Sequence, residues 1–214
     1  MQKYYRYILP LFAFALLLAT SLSPAIPVTG GQTSGPSVGN SLPSLDTFIG
    51  QVKGGPANQV TGLYAVEVFA YPVLQQPAGQ PGYVSQTDGL VTQFGMASSY
   101  GSLGFLAHNT LAGARFSNIK QNQMIAVVYG DGHTTFYKVT QIRRFQATSP
   151  SSPYSAFVDL SSKKTLTATE LFQQTYAVRN TLVLQTCITM NNLDTWGRLF
   201  IIATPYTPEP TNPQ

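Results

Sequence analysis

The chain has 214 residues, of which 43% are hydrophobic, 12% aromatic and only 9% charged, with 18 glycines and 15 prolines. That apolar and aromatic content excludes a disordered polyelectrolyte, and the Ala, Glu, Lys, Leu and Arg dominance of a coiled coil is missing. The formal charge of +4 says little about nucleic acid: Lys3 and Arg6 sit at the extreme N-terminus, and no basic cluster exceeds a pair, Lys163-Lys164 or Arg143-Arg144, where a phosphate-tracking surface needs more.

The N-terminus reads as an export segment. Lys3 and Arg6 precede the apolar run 8–19, interrupted only by Pro10, and Ser23-Pro24-Ala25 offers small residues for cleavage. Residues 8–28 carry no charge, and a span needs about 20 apolar residues, so 1–28 is expected to be a signal peptide or a membrane anchor. In both cases the rest of the chain lies outside. No second run of this kind follows, which argues against a polytopic membrane protein. Residues 29–59 are rich in Gly, Pro and Ser and are expected to form a linker, with a short helix at 45–52.

From about Thr61 the pattern becomes short apolar runs bounded by turn residues, as in a compact β domain. Strands are expected at 63–71, 89–96 and 104–107, with a loop at 75–81 (QQPAGQP). MIAVVY at 124–129, the turn Gly130-Asp131-Gly132 and the alternating run 134–144 read as a hairpin. A Ser/Pro loop at 148–154 follows. The segment 167–176 reads as a helix, with Thr167 and Glu170 spaced as a capping box. Two more apolar strands fall at 181–186 and 199–204. The expected domains are thus 60–206 as an all-β domain, closed into a barrel with one or two short helices, and 207–214 as a loose tail.

Few residues are available for chemistry: two histidines, one cysteine and eight acids. The spacings of metal sites, phosphate loops and nucleophile elbows are absent, and nothing brings two acids together for sugar hydrolysis. Cys187, the sole cysteine, cannot form an internal disulfide. An isolated cysteine is most often a buried small hydrophobe, but an idle thiol on an exported chain is exposed to oxidation. Cys187 closes the apolar run 182–186, His108 follows the strand 104–107, and Arg198 begins the strand 199–204. His133 lies in a hairpin turn and reads as a surface residue. A free thiol is only about 3% thiolate at neutral pH. An imidazole can activate it, and a guanidinium can meet an oxyanion.

The segment from Leu103 to Phe145, LGFLAHNTLAGARFSNIKQNQMIAVVYGDGHTTFYKVTQIRRF, then TLVLQTC, then WGRLFIIATP, resembles the sortases, the exported cysteine transpeptidases of bacterial surfaces. His108-Asn109, Thr186-Cys187 and Arg198 fill the family's slots in order. The chain departs from the family at Ala107, where Gly is common, and at Leu184-Gln185-Thr186, where Thr-Leu-x-Thr is frequent. The resemblance implies a closed, sortase-like β-barrel of about eight strands and no organic cofactor, with Ca²⁺ modulation left open.

It also implies that Cys187 attacks the backbone carbonyl of a sorting-motif peptide of LPxTG type, that Arg198 positions substrate and stabilises the oxyanion, and that His108 moves the proton. Thr186 and Asn109 are expected to bind substrate. The partners implied are sorting-motif proteins, an amine acceptor of the cell wall or of another protein, and the membrane through the N-terminus. A cysteine hydrolase on the same barrel and a non-enzymatic barrel binding peptide or wall polymer remain the alternatives.

Overall fold

A computed structural model describes residues 42–152 and 154–207. The expected signal or anchor at 1–28, the first part of the linker and the tail beyond Thr207 lie outside the described residues. No described helix is long and apolar enough to cross a membrane.

The second half of the expected linker belongs to the fold. Helix α1, Leu45–Val52, starts where the Ser44 side chain accepts from the Thr47 N–H, with Asp46 at the positive end of the helix dipole. It buries Phe48 against Tyr64, Ala126 and Val128. Gly62 makes that contact possible, since a Cβ there would stand 2.8 Å from the Phe48 ring.

The expected strand at 63–71 is a hairpin instead, β1 Val60–Ala65 and β2 Phe69–Gln75. Glu67 turns the chain in the left-handed region at φ 62°, a turn its residue type does not announce. Next come β3 Val91–Phe94, the short helix α2 Gly95–Ser99, β4 Leu103–Leu106 and a 3-10 helix, Ala112–Asn118. The hairpin β5 Met124–Tyr129 and β6 Thr134–Ala147 is as expected, with β6 three residues longer. After the short strands β7 Phe157–Asp159 and β8 Thr165–Leu166 comes helix α3, Ala168–Thr175. Thr167 and Glu170 form the expected capping box. Strands β9 Leu182–Met190 and β10 Leu193–Tyr206 complete the chain.

The strands pair in the order β10-β9-β4-β3-β2-β1-β5-β6, and β6 pairs back onto β10. This closes a barrel of eight strands, as expected. Two joints are parallel, β2–β3 and β4–β9. Strands β7 and β8 extend the edge of β6 beyond the point where β5 leaves it.

Alternation along the strands builds two cores. Phe105, Ala107, Leu182, Leu184, Leu199 and Ile201 face inward and fill the barrel. Leu106, Val183, Phe200 and Ile202 face outward and meet Phe94, Phe145, Phe172 and Tyr176 under α2 and α3. Truncating a buried aromatic of this kind costs about 3–5 kcal/mol, so the outer wall is a rigid layer. The candidate site lies on this outer face.

Candidate active site

The three residues singled out for chemistry lie on three adjacent strands. In the β9–β10 ladder Cys187 is the direct partner of Arg198. On the other side β4 runs parallel to β9 with Leu106 opposite Gln185, and the Ala107 N–H continues the ladder to the Gln185 carbonyl at 3.2 Å. The strand pairing ends there; continued two positions past the end of β4, this register brings His108 level with Cys187. Leu106, Val183 and Phe200 belong to the outer core, and a period of two puts His108, Cys187 and Arg198 on that same face. In strand order the cysteine is the middle member, with β4 and its exit residue His108 on one side and Arg198 on the other.

Two placements differ from the sequence expectation. Cys187 does not end its strand, and Arg198 does not begin its own. Ile188-Thr189-Met190 continues β9, and Asn191 and Asn192, at φ 51° and 60°, form a two-residue hairpin turn into Leu193. The ladder is irregular between Leu193 and Gly197. That irregularity leaves the Thr195 carbonyl to accept from Arg198 Nη1 at 3.0 Å, alongside the Gly197 carbonyl at 2.8 Å.

Arg198 is only 4% exposed, whereas most arginines lie at the surface. Its guanidinium lies 5.9 Å from the centroid of the Phe157 ring, and the two hydrogen bonds use Nη1 alone. Burial lowers its pKa, and the neighbouring thiol opposes that shift; an arginine nonetheless stays charged. Cys187 is partly buried. Burial pushes its pKa up, the Arg198 cation pulls it down and the Asp194 carboxylate pushes it up again, with a net rise. The resting residue is therefore a thiol, and Sγ makes no hydrogen bond among the described residues.

His108 leaves β4 as expected. Burial lowers its pKa, and a backbone hydrogen bond with Val84 opposes this. Its Nε2 lies 2.9 Å from Gln86 Nε2. An amide nitrogen can only donate, so Nε2 accepts from Gln86 and the neutral ring carries its proton on Nδ1. His108 and Cys187 share a face without a hydrogen bond between them.

Asn109 ties the strand exit to the β9–β10 hairpin. Its Nδ2 donates to Thr189 Oγ1 at 2.7 Å and to the Asp194 carbonyl at 3.1 Å, and Thr189 donates to the Asp194 carboxylate. Thr186 is buried on the inner face, away from the thiol, and its hydroxyl has no partner among the described residues. It packs on Gly113, where a Cβ would fall within 2.7 Å of the Ala107 and His108 carbonyl oxygens. The Gly113 N–H also donates to the His108 carbonyl at 3.0 Å. This close approach fixes the 3-10 helix under the histidine.

Several residues escaped the sequence reading. Gln86 reaches His108 from the loop 76–90, with no local pattern to mark it. Tyr176, fully buried with its pKa pushed well up, donates to Gln185 Oε1 at 2.7 Å, one alternation before Cys187. Phe157 belongs to β7, a strand too short to read from sequence. His133 lies apart, half exposed in its hairpin, stacked on Tyr129 and bonded to Asp131. Among the described residues no three His, Cys, Asp or Glu side chains gather as a metal site.

No family model and no curated protein matches this chain. Among solved structures it is similar to sortase A of Listeria monocytogenes at 12% identity, covering 70% of this chain and 89% of that one, with a TM-score of 0.44. A lid mutant of sortase A from Corynebacterium diphtheriae shares 14% identity over 86% of each chain, with a TM-score of 0.45. Sortase C1 of Streptococcus suis shares 13% identity over 79% of this chain and 82% of that one, with a TM-score of 0.44. The chemistry open to this chain follows from its own residues.

Proposed function

We propose that this chain is a sortase-type cysteine transpeptidase acting outside the cytoplasmic membrane, with Cys187 as nucleophile. The observation that supports the reading is the pairing of Cys187 with Arg198 across β9 and β10, with β4, which leads into His108, running beside β9. A lone structural thiol needs neither neighbour.

In the proposed reaction Cys187 Sγ adds to the carbonyl carbon of a sorting-motif peptide, and His108 takes the thiol proton. Arg198 meets the resulting oxyanion from across the ladder. Its fork of donors is held by two backbone carbonyls, so little reorganisation is needed as charge develops. The C–N bond then breaks, His108 returns the proton to the leaving amine, and a thioester remains on Cys187. An acceptor amine attacks the thioester, His108 takes the amine's proton, and the product is a new amide with the thiol restored. No metal or organic cofactor enters this sequence. Asn109 acts here by holding the hairpin that carries Asp194, and any contact of Thr186 with substrate runs through its backbone.

A library of LPxTG-like peptides, with and without an added glycine amine, tests the reading. Transfer requires amide product that grows with amine concentration. Acid product unaffected by amine would make the chain a hydrolase, and no turnover across the library would favour a binding barrel.

A further inference from the structure

The hydrogen bond between Gln86 and His108 does more than the proposed reaction asks of it. With the ring proton on Nδ1, only Nε2 can take a proton, yet at rest that nitrogen is occupied by Gln86 at 2.9 Å. The ring's other polar contact, Val84, belongs to the same loop. His108 is thus held at Nε2 by an uncharged side chain of residues 76–90, while Cys187 makes no hydrogen bond among the described residues.

The base of that loop is firmly tied. Gln76 Nε2 donates to the carbonyls of Pro81 at 2.8 Å and Tyr83 at 3.0 Å, its Oε1 accepts from the Gly95 N–H, and the Ser85 N–H donates to Thr92 Oγ1 at 2.9 Å. Gln86 itself is exposed, and its side chain makes no other hydrogen bond among the described residues. A fixed loop with one exposed, singly bonded amide can exchange that bond for a ligand without unfolding anything.

We propose that Gln86 is the positioning residue for His108. Its carboxamide donates to Nε2 and holds the ring away from the thiol at rest. Its displacement when a peptide enters the groove frees that nitrogen for the thiol proton. This rests on the reading of His108 as the acid–base group. The titratable groups on the elements around the ring are Cys187 on β9, Asp194, Arg198 and Tyr206 on β10, Tyr83 and Asp88 on the loop, and Arg115 on the 3-10 helix. None of them is hydrogen-bonded to the ring.

The chain has two histidines, so ring-nitrogen NMR resolves His108 with His133 as an internal control. The wild type should show the Nδ1–H tautomer. In Gln86→Ala, removal of the donor to Nε2 should raise the His108 titration midpoint and mix its tautomers. In Gln86→Glu a carboxylate facing the imidazolium should raise the midpoint further. His133 should not move in either variant. Iodoacetamide should alkylate Cys187 several-fold faster in Gln86→Ala, because the freed nitrogen can take the thiol proton. A purely structural side chain would shift neither the midpoint nor the tautomer, so an unchanged His108 in both variants would overturn the assignment. A wild type that cleaves no peptide would remove the transpeptidase reading instead, and the ring titration would still decide the role of Gln86.

Discussion

Arg198 stands directly across the β9–β10 ladder from Cys187, and among the described residues it is the one cation whose field lowers the thiol pKa. The same burial that strips water from the guanidinium also strips it from the thiol. In the proposed reaction the pair meets negative charge as it develops, and the resting residue is not a thiolate.

Arg198→Lys should lose most of kcat while keeping the charge. An ammonium cannot reproduce the flat fork that bonds two backbone carbonyls and still faces the thiol. Loss of one oxyanion donor costs about 10²–10³ in rate, or roughly 2.7–4 kcal/mol. Steady-state cleavage and thermal melting should be measured together, because a buried arginine also packs. Wild-type kcat in the lysine variant would remove Arg198 from the site.

His108→Ala should be nearly inactive and His133→Ala nearly normal. Acid–base catalysis is worth about 10²–10⁴ in rate, and only His108 shares a face with the thiol. His133 is spent on Asp131 and Tyr129 in an exposed turn. Equal losses in the two variants would show that the proton is carried elsewhere.

The alkylation profile of Cys187 should be displaced to high pH. Burial raises the pKa more than Arg198 lowers it, and a raised thiol pKa means less thiolate at any given pH. The rate with iodoacetamide should still be climbing where a free cysteine, with pKa about 8.5, has levelled off. A plateau earlier than that of free cysteine would mean that the thiolate is stabilised at rest.

Asp159→Asn should destabilise the fold more near neutrality than in acid. Burial pushes this carboxyl up, but hydrogen bonds from Ser161, Arg143 and Ser162 outweigh that and hold it well below the usual carboxylate range. A folded pKa below the unfolded value of about 3.9 gives stability that is complete above that pH and is lost as pH falls toward the folded value. Denaturant melts should show a deficit of about 1.5–3 kcal/mol at neutral pH, shrinking at about pH 3. An equal deficit at both would mean that packing, not the charge, is what Asn removes.

The features legible from sequence were those encoded locally. The hairpin around Gly130-Asp131-Gly132, the Thr167–Glu170 capping box and the helix at Leu45–Val52 each carry their signal within a few residues. The turn at Glu67 and the 3-10 helix depend on contacts made across the barrel, and short strands such as β7 exist only because β6 offers them an edge. Strand patterns and a family resemblance mark Cys187, His108 and Arg198 as the candidates, and the structure shows Cys187 paired with Arg198. The extension of β9 through Ile188-Thr189-Met190 was missed, although Asn191-Asn192 is a turn signal. The burial of Arg198 and the reach of Gln86 come from distant chain segments that no local pattern joins.

Intact-mass measurement of the protein incubated with the peptide library tests the central claim most directly. The wild type should carry an acyl adduct of the cleaved peptide on Cys187, lost on addition of an amine with release of amide product. Cys187→Ala should carry none and should melt like the wild type. An adduct that persists in Cys187→Ala, or a wild type that turns over peptide with Cys187 blocked, would contradict the account.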